Sequence, residues 1–285
     1  MGSAAGGGLP QWNCACEGCT AARKGEIPCR TQTSLAVSVN GRSWFLINAS
    51  PDLRAQLQAT PALHPAVGNE RGIPVEGILL TNADLDHTLG LILMRESDQP
   101  LHVHAPADVR KKLVWADDLL GRFSGIIWHE PSAQAVPLLG RKEDPSGLTL
   151  QCVRVSAPQD GKDSVAYIIG EERTGKSLLI APDVGEVSAA LAQEMARVDA
   201  IFWDGTFWSN DELSRVAPTK RDARGMGHLP LSETVFEALA ASPAPIKVLI
   251  HINNTNPILL PGGIQRRLAE AAGVTIGEDG MIFNL

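Results

Sequence analysis

Leu79-Leu80-Thr81-Asn82-Ala83-Asp84-Leu85-Asp86-His87-Thr88-Leu89-Gly90 is the stretch on which the reading of this chain turns. An apolar run, 77–80, stops at a cluster of polar and ionisable side chains, and an apolar-periodic segment, 85–94, follows at once. That order reads as a buried strand, a short ligand-bearing turn and a helix. Asp84, Asp86 and His87 bring carboxylate and imidazole donors within four residues, a set suited to Zn or Fe(II). The same residues also read as acids at a helix N-terminus, where they complement the macrodipole. The choice between the two rests on the rest of the chain.

Working outward, 33–39 and 43–48 flank Asn40-Gly41 and predict a hairpin. Ser50 is placed to cap and Pro51 to occupy the first position of a short helix through 57, and 73–80 then feeds the central turn. Further strands are expected at 101–104, 148–155, 164–169, 177–181, 200–204 and 246–251, and helices at 106–115, 187–198 and 231–241. Several strands end in an acid or a histidine: Asp183, Asp204 and His251 repeat the pattern of Asp86 and His87. Ligands that converge from the carboxyl ends of strands are how α/β scaffolds build sites. Hairpins, mixed strands and helices suit two sheets covered by helices, and no linker or internal repeat divides residues 1–285 into more than one domain. His102 and His104 share a strand face and are read as half-buried structural residues.

A chain of 285 residues, 44% hydrophobic and 20% charged, can bury a large core. No apolar run approaches the roughly 20 residues of a membrane span, and the first residues lack the pattern of a signal peptide, so a cytoplasmic location is expected. The net charge is −7, and the basic groups are scattered apart from Lys220, Arg221 and Arg224. Without a basic stripe to neutralise phosphates a nucleic-acid partner is not expected, and without an apolar span neither is a membrane.

Cys14, Cys16 and Cys19 form one Cys-x-Cys-x-x-Cys cluster in a loop at about 9–30. Such crowding predicts a structural Zn site, with the fourth ligand open between Cys29 and a His or Asn from a distant loop. The preceding glycines lack the Lys-Ser/Thr of a phosphate loop and read as an active-site turn. His228 is a candidate acid or base, or a surface-loop histidine. Asn253, Asn254 and Asn256 are candidates to orient His251 or bind polar groups of a substrate, or simply turn formers before Pro257. Asp204 either supports a ligand or caps the turn after it.

Thr81-Asn82-Ala83-Asp84-Leu85-Asp86-His87 resembles, in frame, the Thr-His-x-His-x-Asp-His signature of the metallo-β-lactamase superfamily, an α/β four-layer αβ/βα sandwich. Asn82 and Asp84 replace its first two histidines, Asp183 matches its bridging aspartate and His251 its final histidine. Its middle histidine, expected within 153–157, is missing, since no histidine lies between His129 and His228. The resemblance implies that one metal site has been dismantled and the other kept on Asp86, His87 and His251. Two imidazoles and a carboxylate make the facial triad of non-haem Fe(II) oxygenases. Asp84 and Asp183 stand beside it as catalytic candidates or further ligands.

Within that superfamily the chain resembles the branch that serves pyrroloquinoline quinone (PQQ) biosynthesis. The motifs are Pro10-Gln11-Trp12-Asn13-Cys14, Arg30-Thr31-Gln32, Asn48-Ala49-Ser50-Pro51-Asp52, Asp204-Gly205-Thr206, Met226-Gly227-His228 and His251-Ile252-Asn253-Asn254-Thr255-Asn256-Pro257. The resemblance implies an iron- and O2-dependent hydroxylase of the tyrosine ring of a peptide-derived Glu-Tyr precursor. A carrier moving PQQ or its precursor towards the periplasm is the alternative it brings, and a Zn hydrolase of a small phosphodiester or lactone is the rival enzyme. Implied partners are the small precursor and other PQQ biosynthesis proteins, with a homo-oligomer open. Three features depart from the branch: a clipped first strand, a short loop at 156–163, and Asp183 where some members carry a non-ligating residue.

Overall fold

The computed structural model describes residues 1–68, 70–156, 163–218 and 221–285. Most of the short loop at 156–163, and Lys220 of the basic cluster, lie outside the described residues.

Among the described residues, twelve strands form two sheets. In chain order they are β1 (Leu35–Val37), β2 (Trp44–Ile47), β3 (Val75–Leu79), β4 (Leu101–His104), β5 (Ile126–His129), β6 (Val136–Leu139), β7 (Pro145–Arg154), β8 (Val165–Glu171), β9 (Ser177–Ala181), β10 (Ala200–Asp204), β11 (Ile246–Ile250) and β12 (Thr275–Ile276). One sheet runs β1-β2-β3-β4-β5, antiparallel at β1/β2 and parallel elsewhere. The other runs β12-β11-β10-β9-β8-β7-β6, parallel from β12 to β9 and antiparallel from there to β6. Parallel strands need both faces covered, and the apolar content of β10, buried at all five positions, reflects this.

Three apolar layers follow from the alternation of side chains along each strand. Phe45, Ile47, Leu79, Tyr167, Ile180, Phe202 and Ile250 fill the space between the sheets. Leu46, Ile78, Leu80 and Val103 pack outward against Leu53, Leu91, Val109 and Leu120 of the helices over the smaller sheet. Leu179, Ile201, Trp203 and Leu249 pack outward against Leu191, Met195, Leu239 and Ala269 over the larger one. Helix, sheet, sheet and helix are therefore stacked as the expected αβ/βα sandwich. The Tyr167 hydroxyl donates to the Leu80 carbonyl at 2.7 Å and ties the two sheets together beneath the central turn.

Where the structure departs from the sequence reading, tertiary contacts give the reason. The helix expected at 85–94 breaks into Leu85–Thr88 and Gly90–Leu93. Gly90 N–H donates at 2.8 Å to the carbonyl of Ala49 in a neighbouring loop, not within its own helix. A Cβ at Gly90 would lie 2.3 Å from the Ser50 carbonyl, so only glycine allows this approach. Ala49 N–H in turn donates to the His87 carbonyl at 2.7 Å, which staples the site helix to the end of β2. The helix expected at 106–115 is likewise two, Ala107–Lys112 and Val114–Leu120, and 231–241 opens with a π-turn, Leu231–Val235. β5, β6, the helix Glu17–Arg23, the helix Ile264–Ala271 and β12 carried no strong periodic signal; β6 buries only one of its four residues. His102 is half-buried as expected while His104 is buried, and they have a partner that the sequence reading missed: His129 Nε2 lies 3.0 Å from His102 Nδ1. Among the described residues no helix is long and apolar enough to cross a membrane.

Candidate metal centre

Four strand ends build the centre: His87 and Asp86 after β3, Asp183 after β9, Asp204 closing β10, and His251 after β11. Asp183 (φ 57°) and His251 (φ 54°) adopt left-handed backbone conformations that non-glycine residues rarely take. Such strain persists where surrounding contacts fix it, and it gathers at functional sites.

Two overlapping donor sets share His251, namely Asp86, His87 and His251, and Asp183, His228 and His251, each with its donor atoms within 4.8 Å of one another. His87 Nε2 lies 3.7 Å from Asp86 Oδ2 and 3.5 Å from Asp183 Oδ2. His251 Nε2 lies 3.3 Å and 3.9 Å from the same two oxygens. His228 Nε2 lies 3.5 Å from the other oxygen of Asp183. Three imidazoles thus turn their Nε2 atoms to one place.

Their Nδ1 atoms are held from behind. Thr81 Oγ1 sits 3.1 Å from His87 Nδ1 and is itself bonded to Asn48, whose Oδ1 also accepts Thr81 N–H at 2.9 Å. Thr206 Oγ1 sits 2.8 Å from His251 Nδ1 and 2.5 Å from Asp204 Oδ1. The other oxygen of Asp204 lies 2.8 Å from His228 Nδ1. Partners of this kind fix tautomer and ring orientation in metal-binding histidines. Asp204 therefore takes both roles expected for it, supporting the rings and capping the turn after it through Thr206 N–H at 3.0 Å. Thr81, Thr206 and Asn48 were not foreseen; the available signal was a hydroxyl at a strand end in both Thr81-Asn82 and Asp204-Gly205-Thr206.

The electrostatics call for a cation. Burial opposes charge on Asp86, yet His87 and His251 hold its carboxyl well below the usual range. Burial likewise opposes ionisation of Asp204, and His228 and His251 outweigh it. Burial also disfavours a charged His251, but Asp183, Asp204 and Asp86 push its pKa well above the ordinary value. His87 Nε2 is fully buried with no hydrogen-bond partner. An orphaned imidazole nitrogen among buried carboxylates fits a divalent ion bound by these groups.

Not every expected residue joins the centre. Asp84 is exposed at the start of its helix and lies outside both donor sets. Asn82 is no ligand: its amide donates to Asp183 Oδ2 at 3.0 Å and to Ser164 Oγ at 3.2 Å. His228 is buried, which removes the surface-loop reading. The amides of Asn253, Asn254 and Asn256 are engaged elsewhere, so the substrate-binding reading gains no support from their contacts. Asn253 bonds Thr255, and Asn256 bonds the Gly205 carbonyl and the Ile258 amide.

Asn254 reaches the cysteines. Its side-chain nitrogen lies 3.2, 3.4 and 3.3 Å from the sulfurs of Cys14, Cys16 and Cys19. Rotating the nearly symmetric amide by half a turn sets Oδ1 there instead, at the apex of a tetrahedron over three thiols. Burial and the neighbouring thiols push Cys16 up to about 11, a cost that a bound cation removes. Cys29 is exposed, outside the cluster, and its thiol points to the Ala22 carbonyl at 3.9 Å, so of the two candidates it is Asn254 that stands over the three thiols.

Such a sandwich, with histidines and aspartates gathered at strand ends, defines a β-lactamase superfamily protein, and residues 43–252 match the model of the β-lactamase superfamily domain. Within that class the chain belongs to the coenzyme PQQ synthesis protein B family. It is 39% identical to the coenzyme PQQ synthesis protein B of Nitrosococcus oceani, over 99% of this chain and 97% of that one. The crystal structure of Zn(2+)-bound PqqB from Methylobacterium extorquens superposes with a TM-score of 0.89 at 32% identity, covering 100% of this chain and 98% of the other. A diphosphatase of the PhnP family shares the fold, with a TM-score of 0.70 at 18% identity over 100% and 96% of the two chains.

Proposed function

We propose that this chain acts in PQQ biosynthesis as an iron- and O2-dependent hydroxylase of the tyrosine ring of a peptide-derived Glu-Tyr precursor. The observation that carries the reading is the donor set Asp86, His87 and His251, with His87 Nε2 buried and unpaired. Asp86, His87 and His251 would hold Fe(II), and an iron so bound would supply O2 activation. One oxygen atom enters a ring C–H bond as C–OH; the other leaves as water with two protons and two electrons from an external reductant.

The chain's own groups orient and move protons. Thr81 and Thr206 hold the Nδ1 sides of His87 and His251, so that each ring presents Nε2. Asp183 lies between His87 and His228, with one carboxylate oxygen towards each. Asp204 holds His228 by Nδ1, so Nε2 is the atom that gives or takes a proton. Cys14, Cys16 and Cys19 hold a structural Zn, with Asn254 as the fourth ligand.

The test is metal analysis and oxygen uptake on anaerobically prepared protein given Fe(II), a reductant and a Glu-Tyr cross-linked substrate. The expected result is one Fe besides one thiolate-bound Zn, with O2 consumed and one oxygen atom added to the product. His87→Ala should abolish both. Iron-loaded protein that consumes no O2, with His87→Ala still supporting PQQ formation, would overturn the assignment.

A further inference from the structure

The two candidate metal sites are not independent, and Asn254 joins them. We propose that Asn254 is a positioning residue for His251, so that the occupied cysteine cluster sets how tightly Asp86, His87 and His251 hold their metal. The inference rests on the reading of both clusters as metal sites and not on the reaction assigned to them.

His251 and Asn254 stand three residues apart in one tight loop. At one end, His251 has a left-handed backbone, a conformation that relaxes unless the chain on both sides is held. The preceding residues are held by β11, whose five residues pair with β10. Of the contacts that hold the following residues, three lie within three positions of His251. Ile252 bonds the N-terminal segment, donating to the Ser3 carbonyl at 3.0 Å and accepting from Ala5 N–H at 3.0 Å. Asn253 N–H donates to the Thr206 carbonyl at 3.1 Å.

Asn254 makes the third attachment, and it is the one that depends on the cysteines. Its amide meets all three sulfurs at 3.2–3.4 Å, and its carbonyl accepts from Cys16 Sγ at 3.3 Å. The helix Glu17–Arg23 presses on the same carbonyl, since a Cβ on Gly18 would lie 2.7 Å from it. Side chain and main chain of Asn254 are thus both fixed by the cluster and its helix. Releasing them frees the loop to relax, and His251 Nε2 leaves the position, 3.3 Å from Asp86, at which it completes the donor set. Loss of groups that orient a ligand typically costs 10- to 100-fold in metal affinity.

The experiment titrates Co(II) into metal-depleted protein without substrate or O2. Thiolate-to-cobalt charge transfer in the near ultraviolet reports the cysteine cluster, and the visible ligand-field bands report the histidine site. In Asn254→Ala the histidine-site affinity should fall 10- to 100-fold. Gly18→Ala keeps every ligand and favours the helix, so it tests the coupling without removing a donor; its added methyl displaces the Asn254 carbonyl, and the affinity should fall at least several-fold. Asn254→Asp, which keeps an oxygen donor, should recover most of the loss. Thermal unfolding of each variant separates the effect from global destabilisation, since a merely structural role lowers the melting temperature without changing the histidine-site bands. Wild-type affinity at the histidine site in both Asn254→Ala and Gly18→Ala overturns the proposal, even if the oxygenase reading stands. An inactive enzyme with the predicted affinity losses leaves the coupling intact and removes only the oxygenase reading.

Discussion

Thr206 Oγ1 lies 2.8 Å from Nδ1 of His251 and thereby decides which nitrogen of that ring faces the carboxylates. The hydroxyl accepts from Nδ1–H and donates to Asp204 Oδ1 at 2.5 Å, so the relay ends on a buried charge. Thr206→Val keeps the shape and leaves Nδ1–H buried without an acceptor. Metal affinity should drop 10- to 100-fold and stability by about 1–3 kcal/mol, measured by metal titration and urea unfolding. Thr206→Ser should restore both. A valine variant that holds the metal as tightly as the native protein would remove the relay from the account of the site.

Gly90 fixes the distance between the site helix and the loop after β2. Any Cβ there meets the Ser50 carbonyl at 2.3 Å and the Ala49 carbonyl at 2.7 Å, and rigid backbone cannot give way cheaply. Gly90→Ala should therefore lower unfolding stability by about 1–3 kcal/mol, the usual range for overpacking, despite the better helix propensity of alanine. His87 is carried by the same staple through its carbonyl, so metal affinity should fall alongside. Unchanged urea midpoint and unchanged affinity together would show that the helix can slide away from the loop.

The donor triad Asp86, His87 and His251 was legible because each residue follows the end of an apolar strand, a pattern that needs no knowledge of packing. The core strands were legible for the same reason, since β4 and β9 match the expected bounds. What escaped depends on contacts between distant segments. Asn254 reads as one more turn amide until the fold carries it 235–240 positions away to the thiols. Cys29 is nearer in sequence and was a candidate on equal terms with a distant His or Asn, yet its exposed thiol turns to the Ala22 carbonyl and lies outside the cluster. Asp84 sits beside the donor triad in sequence, but as the residue before a helix it is exposed while Asp86, two positions on, turns in.

Glu212 introduces a pH dependence away from the donor set. Burial pushes its carboxyl up to about 7, against hydrogen bonds from Thr255 Oγ1 and Trp208 N–H, both at 2.6 Å. An acid whose pKa is higher in the folded chain binds more protons folded than unfolded, so stability falls as pH rises from the unfolded value towards 7 and is level above it. Every tenfold gain in proton affinity on folding is worth about 1.4 kcal/mol, and the resulting loss on passing from acid to neutral pH is roughly 3 kcal/mol. Glu212→Gln removes the titration and should flatten the urea-midpoint profile across that window. A glutamine variant whose stability still declines as steeply would place the proton uptake on another group.

Cysteine substitutions separate cluster from bystander. Cys16 is pushed up to about 11 by burial and by its thiol neighbours, a cost that a bound cation removes. Cys16→Ser should remove one equivalent of Zn and, because metal binding to such a site is folding free energy, lower the melting temperature. Cys29→Ser should keep the full Zn content and melt as the native protein does, since its thiol only approaches the Ala22 carbonyl at 3.9 Å. Zinc analysis of the two purified variants decides the matter. Loss of zinc from Cys29→Ser with retention in Cys16→Ser would mean that the bound cluster rearranges around the more distant thiol, and Asn254 would then give up its place as fourth ligand.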